Sequence, residues 1–346
     1  MIERSFLAFL IGRVSMWMAG VMLSVALGWH VYLETKEPLY LAFIGLMQIL
    51  PTFAFFIITG VIIDRVQRKH ILLVCTIVEF FAFLGIFIAM QFDTIPISLI
   101  FSMLLIHGSA RAFQIPSEHA ILPNIVSSKN LAKAVAITST VSNLAKTTGP
   151  FIAGLLITVI DRQVYLICLF IIVVSFTAYL FLPKMIINAP IENGLQPFLS
   201  GIKFVGKNRI LLGIILLDLL IVLLSSVEAL LPIYAADILE VGPNGLGLMR
   251  GMPAIGAVTA GVVLSNLGPL RHCGKKLFVA FALCSISILV FGFSEIFWLS
   301  LIALFVYGAT DMLSVNIRFT LAQTITPDEV RGRVSAVFAT CTASSN

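Results

Sequence analysis

Charge is scarce in this chain. Asp, Glu, Lys and Arg supply only 11% of its 346 residues, apolar types supply 59%, and mean hydropathy is +1.06. A soluble domain of this length could not bury that much apolar surface, which excludes a water-soluble globular protein. Cysteine is sparse as well. Cys75, Cys168 and Cys284 fall in apolar runs, Cys273 in a basic loop and Cys341 near the end, with no CxxC pair. Neither a disulfide framework nor a zinc site fits that spacing. GxSxG, HExxH and the P-loop pattern are missing, and His30, His70, His107, His119 and His272 are scattered. These absences argue against an enzyme, and neither a cofactor nor a bound metal is expected. No soluble domain is attached to serve a receptor. The opening MIERSFLAFL lacks a small-residue cleavage site and runs on into a full apolar span, so it does not read as a cleaved signal.

What the chain has in abundance is apolar runs of about 20 residues, the length that crosses a hydrocarbon core. Ten complete spans are expected near 6–30, 40–63, 71–91, 96–115, 134–160, 164–183, 210–235, 245–267, 277–293 and 297–317, with an eleventh starting near Val334. The fold class expected is therefore an all-α membrane protein. With the N-terminus cytoplasmic, 15 of the 22 Lys and Arg fall on the cytoplasmic side and only Lys36 and Arg162 outside. Membrane insertion accounts for the net charge of +5, and nucleic acid need not be invoked.

The longest polar interruption divides the chain into a six-helix bundle (1–183), a cytoplasmic linker (184–208) and a second bundle (209–346). Within the linker, Leu195, Phe198, Leu199, Ile202 and Val205 are spaced to suit a short interfacial helix, with an irregular linker as the alternative. The two halves echo each other. Arg111 followed by SSKNLAKAV (127–135) parallels Arg318 followed by TPDEVRGRV (326–334), where Thr326, Pro327 and Glu329 can cap a new helix and Arg331 and Arg333 follow.

The loop after the second span reads GVIIDRVQRKH (60–70). Gly60 permits close helix approach, Asp64 can complement a helix N-terminus, and Arg65, Arg68 and Lys69 hold a cytoplasmic loop. A plain positive-inside loop is the alternative. In the fifth span, Pro150 kinks the helix while Gly149 and Gly154 allow tight packing; in the eighth, Gly247 and Gly251 form GxxxG.

GVIIDRVQRKH resembles the signature loop of the major facilitator superfamily, although Gln67 stands where that family commonly has Gly. TTGPFIAG (147–154) is similar to its antiporter Gly-Pro motif, and LLPIYAADILEVGPNGLGLMRGMPAIGA (230–257) with TPDEVRGRVSAV resembles its drug and proton antiporter branch, which includes enterobactin exporters and macrolide efflux proteins. The resemblance covers essentially the whole chain. It implies a two-bundle fold of twelve helices, alternating access, and proton-driven export of a small drug or siderophore from a cell whose inner membrane holds the protein as a monomer when full length. It also implies that the loop around Asp64 acts as a conformational switch against helix eleven. With only the start of that helix present, an inactive truncated form is an expected alternative, as is proton-coupled uptake of a metabolite.

Several charges lie at bilayer depth, where each costs about 2.5–3.5 kcal/mol on insertion scales. Asp218, Glu228 and Asp311 are the candidates for proton coupling, because the resembled fold lines its central cavity with spans seven and ten. Arg13, Arg111, Lys146 and Arg318 are the bases at comparable depth, and mutual neutralisation with the acids is the alternative. Trp17, Met16 and Phe113 are weaker candidates for an amphipathic substrate cavity. Glu79 has no assigned role.

Overall fold

The computed structural model describes residues 4–127, 130–183, 203, 206, 208, 211–213, 216, 227–266 and 273–326. Among the described residues the chain is helical, without strands. Among the described residues eight segments are long and apolar enough to cross a membrane, one of them, Lys133–Leu180, covering two helices.

The first six helices are α1 (Arg4–Thr35), α2 (Pro38–Arg65), α3 (Arg68–Ala89), α4 (Ile97–Ile125), α5 (Leu131–Ile160) and α6 (Val164–Leu180). Short breaks punctuate them. Lys36 adopts a positive φ of 52° and Pro38 opens α2, where its missing N–H costs nothing. Between α2 and α3, Val66 and Gln67 are non-helical at φ −109° and −58°. The turn therefore closes without a left-handed residue, so Gln67 can replace glycine there. Its two cations then bind helix ends: Arg68 donates to Ala120 O (2.9 Å) and Asn124 Oδ1 (2.5 Å) on α4, and Lys69 donates to Leu180 O and Leu182 O at the end of α6. Carbonyls at a helix C-terminus carry partial negative charge, which suits both contacts.

α4 is longer than its apolar run suggests, continuing through Pro116 and Pro123 to Ile125. Pro116 removes the backbone bond to Ala112 O, and the Ser117 hydroxyl donates to the next carbonyl, Phe113 O, at 2.7 Å. This extension carries Gln114 and Glu118 into the bundle.

Beyond α6, residues 211–213 and 216 of the seventh expected span are helical, and its later part runs as a 3₁₀ turn (Val227–Ala229), a short helical stretch (Leu231–Ile233) and a π turn (Tyr234–Ile238) that passes the expected end. Then follow α7 (Gly242–Asn266), α8 (Cys273–Gly292) and α9 (Phe297–Ile325). Two compact units result, one holding α1–α6 with Ala229–Gly251 and the other Val227, Glu228 and Met252 through α9.

In the first unit, α1 packs on α5 and α6, and α4 on α2 and α3. Its core includes Phe9, Met22, Leu23, Leu72, Phe83, Ile86, Tyr165 and Tyr179. Phe170 (68% exposed) and Val159 (80%) point outward, as lipid-facing positions of a helical membrane protein do. α5 and the first turns of α7 touch at Gly154 and Gly247, where a Cβ on Gly154 would lie 3.0 Å from Gly247 Cα. In the second unit α8 packs along α9, while Gly256 and Gly308 let α7 and α9 meet through backbone atoms.

Candidate functional site

Polar side chains in so apolar a chain gather inside the first unit. On α4, His107, Arg111, Gln114 and Glu118 follow one another at helical spacing and so share a face. Facing them are Arg13 and Trp17 of α1, Glu79 of α3, Ser142 and Lys146 of α5, and Tyr179 of α6.

Arg13 and Glu118 form a buried ion pair at 3.4 Å, with side chains 8% and 2% exposed. Arg13 Nε donates to Ser142 Oγ at 3.1 Å; Gln114 Nε2 and the Tyr179 hydroxyl donate to Glu118 Oε1 at 2.9 and 3.0 Å. Gly12 makes this possible, because any Cβ there would strike the Tyr179 ring. The network joins α1, α4, α5 and α6, and pairing with added hydrogen bonds is what makes buried charge tolerable.

A second group surrounds Trp17. Arg111 Cζ lies 4.5 Å and Lys146 Nζ 4.2 Å from its ring, so two cations share one indole. Met16, Trp17, Glu79, Arg111, Gln114, Ile115 and Glu118 line a cavity of about 10 Å³, the room one water molecule needs. Glu79, 2% exposed, faces this cavity and lies 3.8 Å from His107 Nδ1.

In the second unit, Asp311 and Arg318 sit seven residues apart on α9 and pair at 3.9 Å. Arg318 also donates to Ser314 O at 3.3 Å and stands 5.8 Å from the Phe281 ring. Glu228 is exposed in its 3₁₀ turn, and it and Asp311 both lie within electrostatic reach of Tyr307.

A third set ties helix ends at the side carrying Lys36. Lys36 Nζ reaches Asp237 Oδ1 at 2.7 Å, and the Tyr32 hydroxyl donates to the same carboxylate. His30 bridges Asp161 (3.0 Å) and Tyr165 (2.9 Å), and Arg162 pairs with Glu34 at 3.7 Å; further inside the helices, Arg250 donates to Ser24 at 3.2 Å. Lys36, then Tyr32, holds the Asp237 carboxyl below the usual aspartate range by hydrogen bonding. A depressed pKa means the tie is complete above the ordinary value, about 3.9, and is lost only as pH falls through the lowered one. Hydrogen exchange of 234–241, corrected for its intrinsic pH dependence, is expected to stay flat from neutral pH to about pH 4 and to quicken below it. The Asp237→Asn variant should lose that acid-side change.

Of the residues expected from sequence, Arg13, Met16, Trp17, Arg111 and Lys146 come together in the first unit. Arg13 is buried in its pair with Glu118. Phe113 lies apart, against Phe55 at 5.6 Å and an apolar cluster of Ile63, Ile71, Cys75 and Ala110. Gly149, Pro150 and Gly154 lie in α5, with Pro150 and Gly154 at the contact with Gly247. Arg65 is exposed at the end of α2, and Gly60 and Asp64 lie in that helix, their surroundings not described. Thr326 is buried, whereas Asp218, Pro327, Glu329, Arg331 and Arg333 lie outside the described residues, as does most of the 184–208 linker. Glu118, Gln114, Ser142 and Tyr179 were not expected. The available signal was helical spacing, since Glu118 stands two turns beyond Arg111 on one face.

This fold, with charge sequestered among spanning helices, is that of a major facilitator-type membrane transporter. The nucleoside transporter NupG superposes with a TM-score of 0.76 at 12% identity, over 99% of this chain and 88% of that one. A bacterial homologue of the iron transporter ferroportin in its inward-facing state gives 0.73 at 16% identity, over 100% and 90%. At such identities these likenesses speak for the fold alone. The family model MFS_3, transmembrane secretion effector, matches residues 4–345, and the chain belongs to that family. The enterobactin exporter EntS of Citrobacter koseri is 25% identical over 349 aligned positions, covering 96% of this chain and 79% of the relative. EntS of Escherichia coli O1:K1 is 26% identical with the same coverage. The protein is thus a membrane transporter related to enterobactin exporters, not an enzyme.

Proposed function

We propose that this protein exports a small organic molecule of siderophore or drug type by alternating access, driven by the proton gradient. On this reading it lies in a cell inner membrane, as a monomer when full length, with the N-terminus cytoplasmic. A six-helix bundle (1–183), a linker (184–208) and a second bundle (209–346) divide the chain; Gly60, Asp64 and Arg65 at the end of α2 with Arg68 and Lys69 at the start of α3 serve as its conformational switch, and the Thr326–Arg333 segment is the corresponding second-half loop. The observation that supports it most is the concentration of ionisable side chains inside the helices. Arg13, Glu118, Glu79 and Arg111 lie in the first unit, and Asp311 pairs with Arg318 in the second. Charge at bilayer depth is costly and usually belongs to a substrate or ion path. Two cations against Trp17 suit a flat, anionic group, such as a siderophore of the kind the relatives' name specifies.

Inverted membrane vesicles test the reading directly. Acidifying the lumen should drive uptake of enterobactin, erythromycin or ethidium into vesicles holding the protein, and the preferred compound identifies the substrate class. A combined Asp218→Asn, Glu228→Gln, Asp311→Asn variant is expected to lose gradient-driven uptake at least about tenfold, the least that removing an essential proton carrier should give. Undiminished gradient-driven transport by that variant would remove these carboxylates from the coupling mechanism.

A further inference from the structure

The carboxylates assigned above to coupling all belong to the second half of the chain, yet the first unit holds two buried acids that differ sharply in their surroundings. Glu118 has a cation and two donors. Glu79 has no such close set: Arg111 acts on it only across the cavity, its Oε1 is buried without a hydrogen-bond partner, and so are both ring nitrogens of His107, which is 1% exposed. The 3.8 Å from Oε1 to Nδ1 is too long for a direct hydrogen bond. Unpartnered polar groups this deep are rare in proteins and need a reason. The water-sized cavity that Glu79 lines is lined by Glu118 as well.

We propose that Glu79, paired loosely with His107, is a proton-binding site within the first unit and exchanges its proton with Glu118 through that one-water gap. The site deepens the proton-coupled reading above and rests on it. The transfer balances: Glu79 carboxylic acid and Glu118 carboxylate become Glu79 carboxylate and Glu118 carboxylic acid, one water accepting one proton and releasing another. Its consequence is mechanical. Protonated Glu118 no longer attracts Arg13, so the clasp between α1 and α4 loosens, while Arg111 on the cavity wall faces the new charge on Glu79. The groups that act on Glu79 are Cys75 on its own helix, His107, Arg111 and Glu118 on α4, Arg13 on α1 through Glu118, and Tyr179 on α6 through the same carboxylate. Lys146 of α5 stands one ring further off, across Trp17. A purely structural Glu79 would be expected to carry a fixed donor, as Glu118 does.

Infrared difference spectroscopy of the purified protein in lipid, titrated with pH, reads buried carboxylic acids directly, with the proton as the only ligand. A protonated-carboxyl band that titrates in the wild type should vanish in Glu79→Gln. In Glu118→Gln the Glu79 band should persist with its midpoint moved to lower pH by about one unit, because the negative neighbour opposing proton release is gone. A band unchanged in Glu79→Gln, or unmoved in Glu118→Gln, overturns the assignment. Should Glu79→Gln fail to fold, Glu79→Asp replaces it: the shorter side chain should titrate at a shifted midpoint, and an unshifted one overturns the assignment equally. Failure of the proton-coupled reading shows elsewhere, as gradient-independent transport by the wild type in vesicles, whereas failure of the Glu79 site shows in the titration alone.

Discussion

Glu118→Leu should cost about 3–5 kcal/mol of stability, because it leaves Arg13 charged, buried and without its partner. Arg13 is only 7% exposed and its Nε already donates to Ser142, so the guanidinium cannot be rescued by turning toward water. Two further groups lose their acceptor at once, the Gln114 amide and the Tyr179 hydroxyl, and each orphaned donor adds to the penalty. The measurement is thermal or denaturant unfolding in detergent micelles, comparing Glu118→Leu, Arg13→Met and the double variant. Removing both charges is expected to recover more than half of the loss, since an apolar pair of similar volume often equals a buried ion pair. The recovery should stop short of wild type because Gln114 and Tyr179 stay unpaired. A double variant as unstable as the sum of the singles would mean that the pair contributes no coupling and that the clasp is not a unit.

The same network shows where the sequence could be read and where it could not. Apolar length alone placed α1–α6 and α7–α9, because a helix in lipid must be about as long as the hydrocarbon is thick. It failed at the end of α4. Pro116, Ser117, Glu118 and His119 look like a span ending in a polar loop, yet the helix continues and turns Ser117 and Glu118 into the bundle interior while Pro116 and His119 face outward. With the helix cut short, Glu118 fell outside it, and Arg13 was left without its partner. Glu79 was visible as a charge at depth, but nothing local in the sequence of α3 says that α4 presents His107 and Arg111 to it. The Lys36 contact is similar. Lys36 served only as a topology marker, and its partner Asp237 lies 201 residues away, past the expected end of a span. Pairings that bridge such separations depend on the fold as a whole, and no pattern of periodicity carries them. Close packing was easier to read: Gly154 and Gly247 were each marked by small-residue spacing, although their mutual contact was not.

That contact supports the sharpest test of packing. Gly154→Ala places a Cβ 3.0 Å from Gly247 Cα and 3.2 Å from its nitrogen, and closer still to Pro243 O, so rigid backbone stands in its way. Gly247→Ala meets the mirror image of the problem, with Gly154 Cα at 3.1 Å and Pro150 O at 2.7 Å. Neither helix can yield by rotating a side chain; α5 and α7 must separate. Overpacking of this kind costs about 1–3 kcal/mol, and a leucine at either position should cost more than alanine. The double alanine variant is the informative one. Once the first methyl has forced the helices apart, the second meets space already opened, so the double should cost about as much as the worse single variant and well below the sum. Additive costs, or single alanines within about 0.5 kcal/mol of wild type, would show that the two glycines do not touch. Transport should follow stability less closely. If export needs α5 and α7 to close at this point and part again in each cycle, Gly154→Ala lowers turnover even at temperatures where the protein stays folded, and vesicle uptake measured well below the melting midpoint separates the two effects.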